Sequence, residues 1–420
     1  MTLAVCRAAD DRLPPTLLAF SAAKEQQVQQ LATDLKLEVP PEISGFFKAA
    51  VHGDYPMVTN TLARLVPEYV ASYKTNVAGL PAWIPFWQPI TEVESAYEAF
   101  ATGGKKYPLA FGEGIIQSIP AGSVYFGGTD PGRMVVTALC ESQVQGKPFY
   151  TLTQNALSDG RYMDYLRAMY GRRLYLPTTN DVQTALDAYK ADALLRLTHD
   201  RQFASGPRHL KPGEDVRVVD GTVQVNGPVS VMAIHAELVQ VILEHNPNHE
   251  FYLEESYPLD SLYPNLSPHG LIFKLNREPL PKLTTEMLDA DHAFWAKQCR
   301  SMLGDWLQLE TPVSNVCALV EAVYVAKDWS HFTGDREFVT NEFATQAFSK
   351  LRVSIAGLYQ WRLASKLDAG DKTRLRAEAD YAFRQAFALC PSSPEALYQY
   401  VNYLLSEQRI DDAILIARVA

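Results

Sequence analysis

Two hydrophobic periods alternate along this chain, and the places where one gives way to the other divide it into three. Residues 20–105 repeat their apolar positions at helical spacing. A stretch over 22–37, rich in Lys, Glu, Gln, Ala and Leu, is broken by Pro40-Pro41. Residues 43–52 and 55–65 follow as a short helix pair around Gly53-Asp54. Trp83-Ile84-Pro85-Phe86-Trp87 is an aromatic, proline-broken connector of the kind that anchors one layer on another. Residues 92–101 are helical again, and Gly103-Gly104-Lys105-Lys106 marks a boundary.

From about residue 107 the period shortens. Residues 123–128 (SVYFGG) predict a strand ending in glycines, and a helix starts at once. Asp130 is its expected N-cap and Pro131 its first residue, with Val135, Leu139 and Ser142 on one face. Residues 147–152 predict a second strand. Ser158-Asp159 cap a helix over 161–170 that Gly171 ends, and 173–176 give a third strand. Thr179-Asn180 cap a further helix with Val182, Ala185, Leu186, Tyr189 and Ala193 on its face. Asp220-Gly221 between 216–219 and 222–225 predicts a hairpin. Residues 229–244 are apolar nearly all round, which predicts a deeply buried helix. Residues 250–253 and 271–275 supply two last strands, joined by a proline-rich loop, and from 284 the chain is helical to its end.

Strands alternating with helices of this length predict an open, mostly parallel sheet with flanking helices. The fold class expected is therefore α/β plus all-α: a helical amino-terminal region (1–105), an α/β domain (106–283) and a helical region (284–420). In the last region Ala379, Phe383, Ala386 and Pro391 follow at increments of four, three and five. Ser393-Pro394-Glu395-Ala396 opens another helix, and Ala413 returns 34 positions after Ala379. The sequence stops inside the second helix of this unit without a polar capping helix. Solenoids need such a cap, so a dimer contact, more chain or a missing end is expected to cover that face. The aromatic residues there (Trp329, Phe343, Phe348, Tyr359, Trp361, Tyr381, Phe383, Phe387) follow helical spacing and are expected to pack the core.

Composition narrows the picture. The chain has 420 residues, 47% hydrophobic and 20% charged, with a formal net charge of -10, as in an ordinary soluble globular protein. No block of lysine and arginine stands out, which argues against a nucleic-acid groove or a polybasic membrane patch. No apolar run reaches the roughly 18 residues of a membrane span. The cysteines (Cys6, Cys140, Cys299, Cys317, Cys390) are scattered, odd in number and without C-x-x-C spacing, so neither a disulfide framework nor a metal site is expected. Thr2-Leu3-Ala4-Val5-Cys6-Arg7-Ala8-Ala9 looks like the tail of an export signal without its charged and long apolar portions. Two readings stand: an ordinary cytoplasmic start, or a periplasmic protein whose signal precedes this start.

Candidate chemistry gathers where the carboxyl edge of the sheet should be, the usual ligand side of an open α/β sheet. Gly127 and Gly128 let the backbone approach a ligand, and the helix behind them offers free N–H groups to an anion. Thr129 is placed to donate to a phosphate or sugar hydroxyl, and Arg133 to clamp a carboxylate or phosphate. Asp130, Asn155 and one of Glu254 and Glu255 complete a polar rim, since neighbouring side chains of a strand point to opposite faces. The plainer reading is a tight turn with an aspartate cap and a surface arginine. The segment fits neither the Walker pattern nor G-x-G-x-x-G. The nine histidines form no metal set; His245 and His249 are separated by Asn246-Pro247-Asn248, His235 reads as a hydrogen-bonded core residue, and His269 as a turn residue.

On these residues the chain resembles two families. The spacing from Ala379 to Ala413 is similar to tetratricopeptide repeats, which implies a protein or peptide partner. The middle region, about 115–280, resembles the soluble tail of a bacterial family of multi-spanning membrane proteins whose membrane part looks like lipid-dependent glycosyltransferases such as the protein O-mannosyltransferases. That resemblance rests on 123–133, 144–155 and Phe251-Tyr252-Leu253-Glu254 with the 259–262 loop. It implies an accessory or substrate-handling domain, and transferase chemistry is not carried over. The leading expectation is a soluble bacterial interaction protein whose α/β domain is a scaffold or small-ligand module. The rival is an enzyme or accessory subunit acting on a sugar or phosphorylated substrate, with Asp130, Arg133 and Glu254 or Glu255 as key groups. A third is a structural subunit assembling through the uncapped repeat. No cofactor is assigned.

Overall fold

The computed structural model describes residues 13–74, 81–128, 131–254 and 259–420. Five helices come first: α1 (Pro15–Leu35), α2 (Pro41–Val51), α3 (Tyr55–Lys74), α4 (Trp87–Gly103) and α5 (Lys106–Ser118). Pro15 and Pro41 each stand at the first helical position, where the missing N–H costs nothing. The aromatic connector fastens α3 to α4, with Tyr69 stacked on Trp87 at 3.9 Å and Phe86 fully buried. Helix α5 falls where a change of period was expected. Gly112 within it is a packing contact: a Cβ on it would lie 2.6 Å from Leu139 Cδ1.

The sheet is built from β1 (Val124–Gly127), β2 (Tyr150–Thr153), β5 (Phe251–Leu253), β6 (Leu266–His269) and β7 (Ile272–Leu275), in the order β2-β1-β5-β7-β6. β3 (Asp215–Val219) and β4 (Thr222–Asn226) pair apart from it as the expected hairpin, Asp220 and Gly221 both having positive φ. The five-stranded sheet is mixed rather than mostly parallel. β1 pairs parallel with β2 and β5, whereas β5–β7 and β7–β6 are antiparallel. Two departures cause this. Residues 173–176 form no strand, because the Asn246 side chain takes both the N–H and the carbonyl of Tyr175 (2.8 and 3.1 Å). The proline-rich loop contains β6 instead, an edge strand where Pro268 is tolerated.

Helix α6 (Pro131–Leu139) packs on β1 and β2 and is itself covered by α1, α4 and α5, so it is a middle layer. Helix α7 (Gly160–Tyr170) starts at Asp159, whose carboxylate accepts from the N–H of Arg161. Helix α8 (Thr179–Gln202) starts with a reciprocal capping box between Thr178 and Asp181. Helix α9 (Pro228–His245) is not buried all round: Leu238, Val239 and Ile242 face the core, while Val231 is exposed.

The carboxy-terminal helices are α10 (Thr285–Leu303), α11 (Val313–Val320), which runs into a π turn over Glu321–Val325, the short α12 (Arg336–Val339), and two antiparallel pairs: α13 (Glu342–Leu363) with α14 (Ala369–Leu389), and α15 (Pro394–Ser406) with α16 (Ile410–Val419). α13 also packs on α4 and α5. Arg362 fastens it to the sheet by donating to the carbonyls of Leu280 (2.6 Å), Tyr263 (3.1 Å) and Pro264 (2.7 Å).

Candidate functional site

The chain runs from β1 to β2 on one side and returns past β1 to β5 on the other. Strand order thus reverses between β1 and β5, the switch point where open α/β sheets leave a crevice. Continuing the register by one residue sets Glu254 beside Gly127 and Gln154 beside Gly128. Gly127, Gly128, Asn155 and Glu254 therefore meet at this edge, as expected. Thr129, Asp130 and Glu255 lie outside the described residues.

Glu254 is buried and accepts from the Tyr125 hydroxyl at 2.8 Å. A Cβ on Gly132 would overlap its carboxylate, so Gly132 is what lets Glu254 approach the first turn of α6. The place where an anionic ligand was expected is held by a carboxylate of the chain itself. The dipole of α6 favours a negative charge at that end.

Arg133 is the second departure. Because α6 is a middle layer, its guanidinium is fully buried and turned toward α4, where Nη1 pairs with Glu92 Oε1 at 2.8 Å. Lys24 of α1 approaches Glu92 Oε2 at 2.5 Å, and the Tyr165 hydroxyl of α7 donates to the same oxygen at 2.7 Å. Gln143 adds longer contacts of 3.3 Å to both oxygens. Burial alone would raise the Glu92 pKa, but Lys24 and Arg133 hold it at about 2. For Lys24 burial dominates and lowers the pKa despite Glu92. The group is a sealed ionic junction between layers. The sequence carried one signal for it: Lys24 stands on the core-facing stripe Leu17, Phe20, Lys24, Val28, Ala32, where a charge needs a buried partner.

The turn Gln154–Ala156 after β2 holds polar groups that lack partners. Gln154 is 0% exposed and neither atom of its amide is hydrogen-bonded; Asn155 Oδ1 is buried and unbonded as well. α9 packs on this turn and brings His235, whose Nε2 meets Ser158 Oγ at 2.9 Å while Nδ1 stays unpaired. Burial pushes the His235 pKa down to about 4. His235 is thus the hydrogen-bonded core histidine expected. His269 binds the Ser118 carbonyl at 2.7 Å, and His245 stacks on Tyr175 at 4.3 Å, apart from His249.

A groove of about 970 Å³ runs between α8 and α9, with Val229, Met232, Ala233 and Ala236 along α9 and Leu259 at one end. Its charged cluster is internally satisfied: Glu214 takes Arg196 and Tyr189 and fastens the hairpin to α8.

On the last helical pair, the inner face of α15 (Ala396, Tyr400, Tyr403, Leu404) is buried. Its opposite face presents Glu395, Tyr398, Asn402 and Leu405, with Tyr398 71% and Leu405 48% exposed. The inner face of α16 (Ala413, Ile416) is covered in part by α11, so the end expected to be bare has a helix on one side.

Among the described residues no three His, Cys, Asp or Glu side chains are grouped to hold a metal, and no helix is long and apolar enough to cross a membrane. Compared with known proteins, the chain matches no family model, no curated protein and no solved structure.

Proposed function

We propose that this chain is a protein-interaction protein that holds a partner segment on its carboxy-terminal helical pairs, with the sheet and its helices as scaffold. The observation that carries this reading is the outer face of α15. Tyr398 and Leu405 are seven residues apart, so they share one helix face, and both are large apolar side chains left in water. Asn402 between them and Glu395 at the start of the helix give the polar contacts that fix register. Tyrosine supplies much contact area at low entropic cost.

The tetratricopeptide-like spacing supports the same reading. Ala379 of α14 and Ala413 of α16, 34 positions apart, are both buried, as are Phe383 and Ala386. Small residues there let helices approach closely, as stacked helical repeats require. The partner that fits is a peptide segment with apolar anchors and, given the net charge of -10, basic flanks.

The test is selection of displayed peptides on the purified chain, followed by affinity measurements on wild type and on Tyr398→Glu and Leu405→Glu. Both substitutions are on the solvent side and should leave the unfolding midpoint unchanged. The expected outcome is enrichment of basic-flanked apolar peptides whose Kd rises at least about tenfold in either variant, roughly 1.4 kcal/mol. Selected peptides that bind both variants as well as wild type would remove α15 as the site.

A further inference from the structure

The unpaired groups at the carboxyl edge of the sheet have no part in the reading above, and they cluster. Among the described residues, fifteen buried side-chain polar atoms lack a hydrogen bond, and four of them belong to Gln154, Asn155 and His235. Buried polar groups are nearly always hydrogen-bonded, and each unmade bond carries a desolvation penalty. Four orphans on one turn and the helix packed against it, beside the switch point, therefore call for an occupant.

We propose that this turn lines a small-molecule site for a neutral, hydroxyl-rich ligand, a polyol or sugar, bound by the Gln154 amide, Asn155 Oδ1 and His235 Nδ1. Each of these groups is uncharged. The Gln154 amide offers a donor and an acceptor, Asn155 Oδ1 an acceptor, and His235 Nδ1 takes whichever role its tautomer allows. With its pKa near 4, His235 is a neutral imidazole at ordinary pH. Hydroxyl groups donate and accept, so they satisfy such a mixed set. Asn155 is half-buried, so the turn reaches the surface at this residue.

An anion is disfavoured. Arg133 is committed to Glu92, Arg161 reaches Ser72 at 2.9 Å, and Glu254 already stands at the first turn of α6. A nucleobase is disfavoured too, because neither the Gln154–Ala156 turn nor α9 carries a Phe, Tyr or Trp to stack on it.

The experiment is calorimetric titration of the full chain with glucose, N-acetylglucosamine and inositol, with glucose 6-phosphate and adenine as the contrasting arms, on wild type and Gln154→Leu. Leucine fills nearly the same volume without polar atoms, so the variant should fold with an equal or higher Tm. Wild type is expected to bind at least one neutral probe, glucose 6-phosphate at least tenfold more weakly than glucose, and Gln154→Leu none. No binding of any neutral probe would mean that water alone occupies the turn. Binding that survives in Gln154→Leu, or that is confined to glucose 6-phosphate or adenine, would equally overturn the proposal. Tyr398→Glu should leave the titration unchanged, which separates this site from the partner surface.

Discussion

Two fully buried ion clusters hold the two ends of this molecule, and they are built in opposite ways. In the amino-terminal half a single carboxylate, Glu92, serves two cations, Lys24 and Arg133. In the carboxy-terminal half a single cation, Arg352, is held by Asp291 at 2.7 Å and also by Gln385 at 2.7 Å, with the Trp295 ring beneath it at 5.1 Å. The first cluster joins α1, α4, α6 and α7, so it links the amino-terminal helices to those beside the sheet. The second stays within α10, α13 and α14. Arg352 keeps two further partners if one is lost. Glu92 is the anion shared by two cations, of which Lys24 otherwise meets the neutral Gln27 amide at 3.0 Å and the Tyr165 hydroxyl at 2.7 Å. Burial makes the difference large, because removing one partner leaves a charge in a medium that cannot solvate it.

The largest effect should therefore come from Glu92→Ala, which takes the anion from two buried cations and leaves Lys24 with neutral partners. We expect a loss of about 3–5 kcal/mol in urea unfolding. Asp291→Ala should cost clearly less, since Arg352 keeps Gln385 and the Trp295 face. Equal losses would break the comparison.

Next comes acid sensitivity. The folded His235 pKa of about 4 lies below its ordinary 6.5, so the unfolded chain takes up the proton first. Its contribution is complete above pH 6.5 and is lost as pH falls to 4, about 3 kcal/mol in all. Glu92 is depressed from 4.5 to about 2, so its contribution goes only below pH 4.5. Urea midpoints against pH should fall in two stages, and His235→Gln should flatten the first alone.

Gly132→Ala should cost about 1–3 kcal/mol by pushing the Glu254 carboxylate from its seat. Asp368→Ala removes the cap of α14, whose carboxylate takes the Asp371 N–H at 2.8 Å, and should cost about 1 kcal/mol. Lys24→Met sharpens the contrast from the other side. It removes the surplus cation while Glu92 keeps Arg133 and Tyr165, so stability should change by less than about 1 kcal/mol or rise. A loss as large as that of Glu92→Ala would show that Lys24, and not the carboxylate, is the centre of the cluster.

Most helices, the hairpin and four of the five sheet strands were legible in the sequence, because each is encoded locally. Asp159 caps a helix and Asp220-Gly221 closes the hairpin as expected, whereas the cap of α8 is Thr178, one residue before the expected Thr179-Asn180. What misled were residues whose role is long-range. Residues 173–176 looked like a strand, but the Asn246 side chain takes the backbone groups of Tyr175. At the candidate site the gathering of Gly127, Gly128, Asn155 and Glu254 followed from strand ends alone. The burial of Arg133 did not, because it depends on α6 lying between two layers.

The sequence by itself determined most of the helices, four of the sheet strands, the hairpin, and which strand ends carry polar groups, since capping, turn geometry and side-chain alternation act over a few residues. Tertiary structure alone decided which charges meet. Glu92 finds Lys24 68 positions before it and Arg133 41 positions after it, and Glu254 reaches Gly132 across 122 residues. No local pattern specifies such pairings. They are fixed by how the layers stack and by the cost of burying a charge without a partner.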